Sequence, residues 1–121
     1  MKQELGPQAK THELFVKREI LPYIIDGTKK YEIRVLNLDH RYENVRDIKV
    51  GDTIKFSDGA GETISKKVLA VTHHPNLENF LEEVDAEDVM PGMSDKDILE
   101  RWGDMFGRKE KRFGVIVFTI N

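Results

Sequence analysis

The chain has 121 residues, 39% of them hydrophobic, and no cysteine. That is enough for one domain with its own core, and it excludes disulfides and thiolate metal sites and suits a reducing compartment. The net charge of −3 argues against a broadly basic nucleic-acid binder, and no apolar run approaches the ~20 residues that cross a bilayer.

The opening "MKQELGPQAK" lacks the apolar stretch of a signal peptide. It reads as a frayed polar tail over residues 1–11, leaving 12–121 as the domain. A soluble, cytoplasmic protein is expected, without cofactor or metal and with a monomer as the simplest state. "HELFVK" (12–17) has the apolar content of a short strand. From Arg18 to Asp26, Ile20, Leu21, Ile24 and Ile25 fall at helical spacing, with Pro22 in the first turn. Gly27 supplies the left-handed position that stops this helix. Tyr31, Ile33 and Val35 then alternate with Lys30, Glu32 and Arg34, the pattern of a half-buried strand.

Residues 36–49 show no clean period and read as a polar loop. "VGDTIKF" (50–56) is a turn and a strand, "SDGAG" (57–61) a strong turn, and 63–72 a β-branched strand. Two helices are expected next. Leu77, Phe80, Leu81 and Val84 line one face of the first; Ile98, Leu99, Trp102, Met105 and Phe106 line one face of the second. Ser94 and Asp97 form a capping-box-like start for the latter. "RFGVIVFTI" (112–120) is apolar on both faces, as a central closing strand would be. Short strands with helices set among them predict an α+β fold, a small curved sheet or barrel with helices at its edge.

Charge is unevenly spread along the chain. Residues 76–104 carry ten acidic and two basic residues, leaving 17 basic and 12 acidic residues elsewhere. An acidic lobe on a mildly basic body fits this pattern, as do plainly solvated helices. A groove on the basic part can attract phosphate, although bulk charge offers little steering.

The densest charge lies in "DGTKKYEIRV" (26–35). Glu32 and Arg34 share one face of their strand, roughly 7 Å apart along the backbone. Lys29 lies just before it, where the pleat does not yet dictate direction. Taken alone, the cluster reads first as an exposed ion pair worth ~0–1 kcal/mol, and second as a polar site on a groove wall.

Gly27, Lys29, Glu32 and Arg34 match G-x-K-x-x-E-x-R, and the chain here resembles the ASCH domain family of the PUA-like superfamily. The resemblance runs from about Glu13 to Ile120, with "IKVGDTIKF" and "RFGVIVFTI" similar to the family's second and closing barrel strands. It implies a small PUA-like β-barrel with flanking α-helices and a cleft between them where Lys29, Glu32 and Arg34 gather. It also implies an RNA, nucleotide or nucleoside ligand. In such a cleft Lys29 and Arg34 can hold phosphate, while Glu32 orients Arg34 or accepts from a base amine. Some ASCH proteins resemble amidohydrolases acting on N4-acetylcytidine, with a lysine, a threonine and a glutamate as catalytic residues. Lys29 matches that lysine, but Glu32 stands where their motif has threonine, and Thr28 is not at the nucleophile position. A third such residue would fall in 84–92, where Glu87 and Asp88 are the candidates. If the chain is a hydrolase, of an acetylated nucleoside or of RNA, Lys29 and Glu32 carry the chemistry, with Glu32 as general base for water.

Other residues read more plainly. His73 and His74 are adjacent on a strand and point to opposite faces, so they do not chelate one metal. Trp102 reads as core before base-stacking platform, and so does Tyr31. "GRKEKR" (107–112) is a solvated loop or the basic far rim of the cleft.

Overall fold

A computed structural model describes residues 9–36, 45–106 and 114–120. The strands are β1 (Thr11–Phe15), β2 (Tyr31–Val35), β3 (Thr53–Ser57), β4 (Thr63–His74) and β5 (Val115–Ile120). The helices are α1 (Leu21–Ile25), α2 (Leu77–Leu81), α3 (Ala86–Val89) and α4 (Asp95–Phe106). The five strands form one mixed sheet in the order β1-β3-β4-β5-β2. β1 runs parallel to β3, and every other pair is antiparallel.

The sheet curls into a half-open barrel, and β4 is the strand that makes the curl possible. Its first half pairs with β3 and its second half with β5, with a register shift between Val68 and Ala70. Such an irregularity bends a strand and sharpens its twist, so one strand serves two walls. β5 then separates two cores. Ile116, Phe118 and Ile120 face the barrel interior with Leu14, Ile54, Phe56 and Val68, while Val115 and Val117 pack under the helices with Leu77, Phe80 and Leu81. Five of the six β5 residues are buried, as a strand apolar on both faces must be. The fold is α+β, a small PUA-like barrel with helices beside it.

Several boundaries differ from the sequence reading. The divide placed after residue 11 cuts the first strand: Thr11 opens β1, and the Lys10 amide is bonded to Asp52 Oδ1 at 3.0 Å. The acidic segment holds three helices rather than two, because Asp85 starts the short α3 in extended geometry. The stretch read as a polar loop contributes core at its end, where a 3₁₀ turn over Val45–Asp47 buries Val45 and Ile48. Residues 37–44, the run 107–112 and the Phe106 side chain lie outside the described residues. Among the described residues, no helix is long and apolar enough to cross a membrane.

Candidate functional site

The site begins where α1 stops. Pro22 sits in the first turn of α1, and Leu21 and Ile24 bury its inner face. Gly27 follows at φ +84°, a conformation that costs a side-chain-bearing residue far more than glycine. Thr28 steadies the turn, its amide and hydroxyl both donating to Asp26 Oδ1 at 2.9 and 2.6 Å. The chain is thereby aimed under α3, whose last carbonyls lack helical partners. The Lys30 amide donates to Asp88 O at 2.8 Å, and Lys29 Nζ donates to Val89 O at 2.7 Å. A cation at a helix C-terminus is also favoured by the backbone dipoles there.

Register decides where the next two charges point. Glu32 lies opposite Phe118 and Arg34 opposite Ile116, so both share the inner face of the sheet with the barrel core. β2 is an edge strand, and its inner face borders the gap that separates it from β1, the other edge. Arg34 spans that gap. Its Nε donates to Glu32 Oε2 at 2.8 Å, and a terminal nitrogen donates to Phe15 O of β1, also at 2.8 Å. One guanidinium therefore holds Glu32 and laces the seam of the barrel, a use suited to its planar fork.

Lys29 and Glu32 are 8% and 6% exposed, so this is not surface charge. Lys29 Nζ stands 3.7 Å from Glu32 Oε1, an ion pair longer than a hydrogen bond. Burial pushes the Lys29 ammonium below its ordinary value; the Glu32 carboxylate pulls it back up, and Arg34 adds to the lowering.

These three side chains form the floor of a cavity of about 260 Å³. Its walls come from three directions. The end of β1 and the segment after it supply Phe15, Val16, Lys17 and Ile20; α3 and the loop behind it supply Val89, Met90 and Met93. From α4 come Ile98, Arg101, Trp102 and Met105, spaced i, i+3, i+4 and i+7 on one helix face. Every methionine except Met1 lines this space, and thioethers adapt readily to flat aromatic ligands.

The structure therefore brings Lys29, Glu32 and Arg34 together at one cavity between the barrel seam and the helices. It does not bring Glu87 or Asp88 there. Glu87 accepts from the Gly92 amide at 2.9 Å, and Asp88 pairs with Lys30 at 3.4 Å. Tyr31 lies on the other face of β2, its ring edge-on to Phe80 with centroids 5.3 Å apart. Trp102 is half-buried: it packs against the core under the helices, as its reading as core expects, and also walls the cavity. Its helical spacing from Ile98 was visible; that α4 covers the seam rather than the sheet was not. His74 stacks near Phe80 and bonds Thr72 at 2.9 Å. Among the described residues, no group of three His, Asp or Glu side chains is placed to hold a metal ion.

Sequence reasoning missed Lys17, Arg101 and the three methionines of the wall. The only signal was that Arg101 is the one charged residue among Ile98, Trp102 and Met105 on an otherwise apolar α4 face.

No family model and no curated protein matches the chain. Solved structures do. The crystal structure of hypothetical protein PH0355 is 26% identical with a TM-score of 0.75, covering 93% of this chain and 97% of that one. The solution structure of protein PF0455 from Pyrococcus furiosus is 27% identical with a TM-score of 0.69, covering 92% and 96%. A third is the crystal structure of ASCH from Zymomonas mobilis, at 13% identity and a TM-score of 0.63 over 92% of this chain and 66% of that one. The chain has the fold of an ASCH protein. The likeness to the ASCH fold spans nearly all of this chain and so takes in both the half-barrel and the helices beside β5.

Proposed function

We propose that this ASCH-fold protein belongs with the ASCH domains in function as well as shape, and that its cavity binds one nucleobase of a nucleoside, nucleotide or RNA. The observation that carries this is a floor of buried Lys29 and Glu32 with half-buried Arg34, beneath a wall holding Trp102. A flat, polar-edged, apolar-faced ligand suits such a space. The indole and the methionines offer stacking worth ~1–3 kcal/mol per base. Lys29 Nζ offers an N–H to a ring carbonyl, and Glu32 Oε1, which Arg34 does not bind, accepts from a base N–H. At about 260 Å³ the cavity fits one base better than a strand, small-molecule sites running about 300–1,000 Å³. An RNA partner would insert an unstacked base here.

Trp102 is the only tryptophan in the chain, so its fluorescence reports on the cavity directly. Titration with the common nucleosides and 5′-nucleotides should give saturable quenching that is weakened in Glu32→Gln. Binding of RNA with no change at Trp102 would place recognition elsewhere on the surface.

A second reading draws on the Lys29 ammonium, lowered by burial and set against a carboxylate. That pairing suits a small hydrolase in which Glu32 takes a proton from water while Lys29 faces the oxygen that gains charge. Turnover of N4-acetylcytidine or of RNA, cut by roughly 10²–10⁴ in Glu32→Gln, is the result that would favour it.

A further inference from the structure

The cavity lining holds four cations and one carboxylate: Lys17, Lys29, Arg34 and Arg101 against Glu32. They divide into two pairs. Lys29 and Arg34 both lie within ion-pair distance of Glu32, and each also donates to a backbone carbonyl. Lys17 and Arg101 have no carboxylate within that distance among the described residues. Exposure orders the lining from Lys29 and Glu32, which are buried, through Arg34 and Arg101, both half-buried, to Lys17, which is exposed and marks the solvent end of the cavity. Glu32 therefore offsets one of the two positive charges on the floor, whereas the two at the mouth are opposed by no carboxylate of the lining.

The origin of Arg101 makes the arrangement more telling. The segment 76–104 holds ten carboxylates and only two basic residues. None of those carboxylates lines the cavity, whereas Arg101 does. It shares the α4 face that carries Ile98, Trp102 and Met105, so the acidic lobe presents one of its two cations to the cavity and its carboxylates elsewhere.

We propose that Lys17 and Arg101 form a phosphate subsite at the mouth, so that the ligand is a phosphorylated nucleoside rather than a free one. This rests on the base-binding role of the cavity. A neutral nucleoside would bring no counter-charge to either mouth cation. The floor is the wrong place for a phosphate, because a buried anion there would meet Glu32 and lose its hydration. At the mouth the phosphate keeps part of its water while accepting from a guanidinium fork and an ammonium. The shared chemistry is a phosphate ester on the sugar, whether a free 5′-monophosphate or the phosphodiester beside an unstacked base of RNA.

Trp102 fluorescence titrations with nucleosides, their 5′-monophosphates and dinucleotides test this. At low salt the monophosphate should bind about tenfold tighter than its nucleoside, the scale of one charge-assisted contact, and the gain should shrink as salt rises. Arg101→Gln and Lys17→Gln should each move the ratio toward one, while Lys96→Gln, at the other base of the acidic segment, should leave it in place. Dinucleotides that bind as tightly as monophosphates point to RNA as the source, and weaker ones to a free nucleotide. Should Arg101→Gln fail to fold, Lys17→Gln and the wild-type salt dependence decide the matter. Equal affinity for nucleoside and monophosphate overturns the subsite and leaves base binding standing. No saturable binding of either overturns both.

Discussion

Two carboxylates are buried in the described part of this molecule, and their surroundings differ sharply. Asp52, just before β3, is 5% exposed and saturated with donors. His12 Nε2 lies 2.8 Å from one oxygen, and the amides of Lys10 and Lys49 donate at 3.0 Å. Burial pushes the Asp52 carboxyl up, but these hydrogen bonds outweigh it and hold the group down at about 2. Glu32, 6% exposed, has one short bond from Arg34 and a long ion pair to a lysine that burial disfavours in its charged form. One carboxylate staples the chain before β1 to the turn before β3. The other borders a cavity, its second oxygen held only by the long contact to Lys29. A buried charge whose partners are complete serves the fold; one whose partners are incomplete is available to a ligand.

The comparison breaks most visibly if the staple is removed. Asp52→Ala strips three hydrogen bonds and leaves two backbone amides short of an acceptor, so chemical denaturation should register a loss of about 3–4 kcal/mol. A loss under about 1 kcal/mol would mean that solvent already reaches those amides. Glu32→Gln should cost less, about 1–2 kcal/mol, because the amide oxygen still accepts from Arg34. Its larger effect should fall on ligand affinity at Trp102. If Glu32→Gln destabilised the fold as much as Asp52→Ala while leaving affinity intact, the two carboxylates would have exchanged roles.

Acid should separate them next. A carboxylate with a folded value depressed to about 2 contributes stability that is complete above its unfolded value and lost as pH falls through about 2. For Asp52 that contribution is roughly 1–2 kcal/mol after allowing for solvent screening. Asp52→Asn should flatten that part of the curve. Lys29 gives the smallest effect and the opposite sense. Its folded value lies below the unfolded one, so between the two the unfolded chain holds more protons. Stability should therefore rise slightly with pH toward the ordinary lysine range, and Lys29→Met should abolish that rise.

A deliberately strained-looking position marks the limit of what local pattern reveals. Gly114, at φ +82°, precedes β5, and a β-carbon there would lie 2.9 Å from His74 O. The glycine is plain in the sequence, but the strand that crowds it is 40 residues away by number. The same holds for the site. Alternation along residues 31–35 showed that Glu32 and Arg34 share a face, and Gly27 showed where the helix ends. Those are properties of neighbours, set by the two-residue pleat and by backbone sterics. The apolar run of β5 likewise announced a strand buried on both sides, because all of it but Thr119 is apolar.

What the pattern left open was which face, which edge and which neighbour. β2 became an edge strand only through the order β1-β3-β4-β5-β2, and that order placed its charged face at the seam where Arg34 reaches Phe15 O. Lys29 was visible as a charge but not as a buried one, because its partner Val89 O is a backbone atom that carries no sequence signal. Arg101 and Trp102 were legible as members of one helix, yet their place over the seam depends on packing between α4 and a sheet distant in sequence. Local sterics and periodicity write the elements into the chain; long-range pairing, whose partners are set by burial across the whole fold, decides which of their faces meet to make a site.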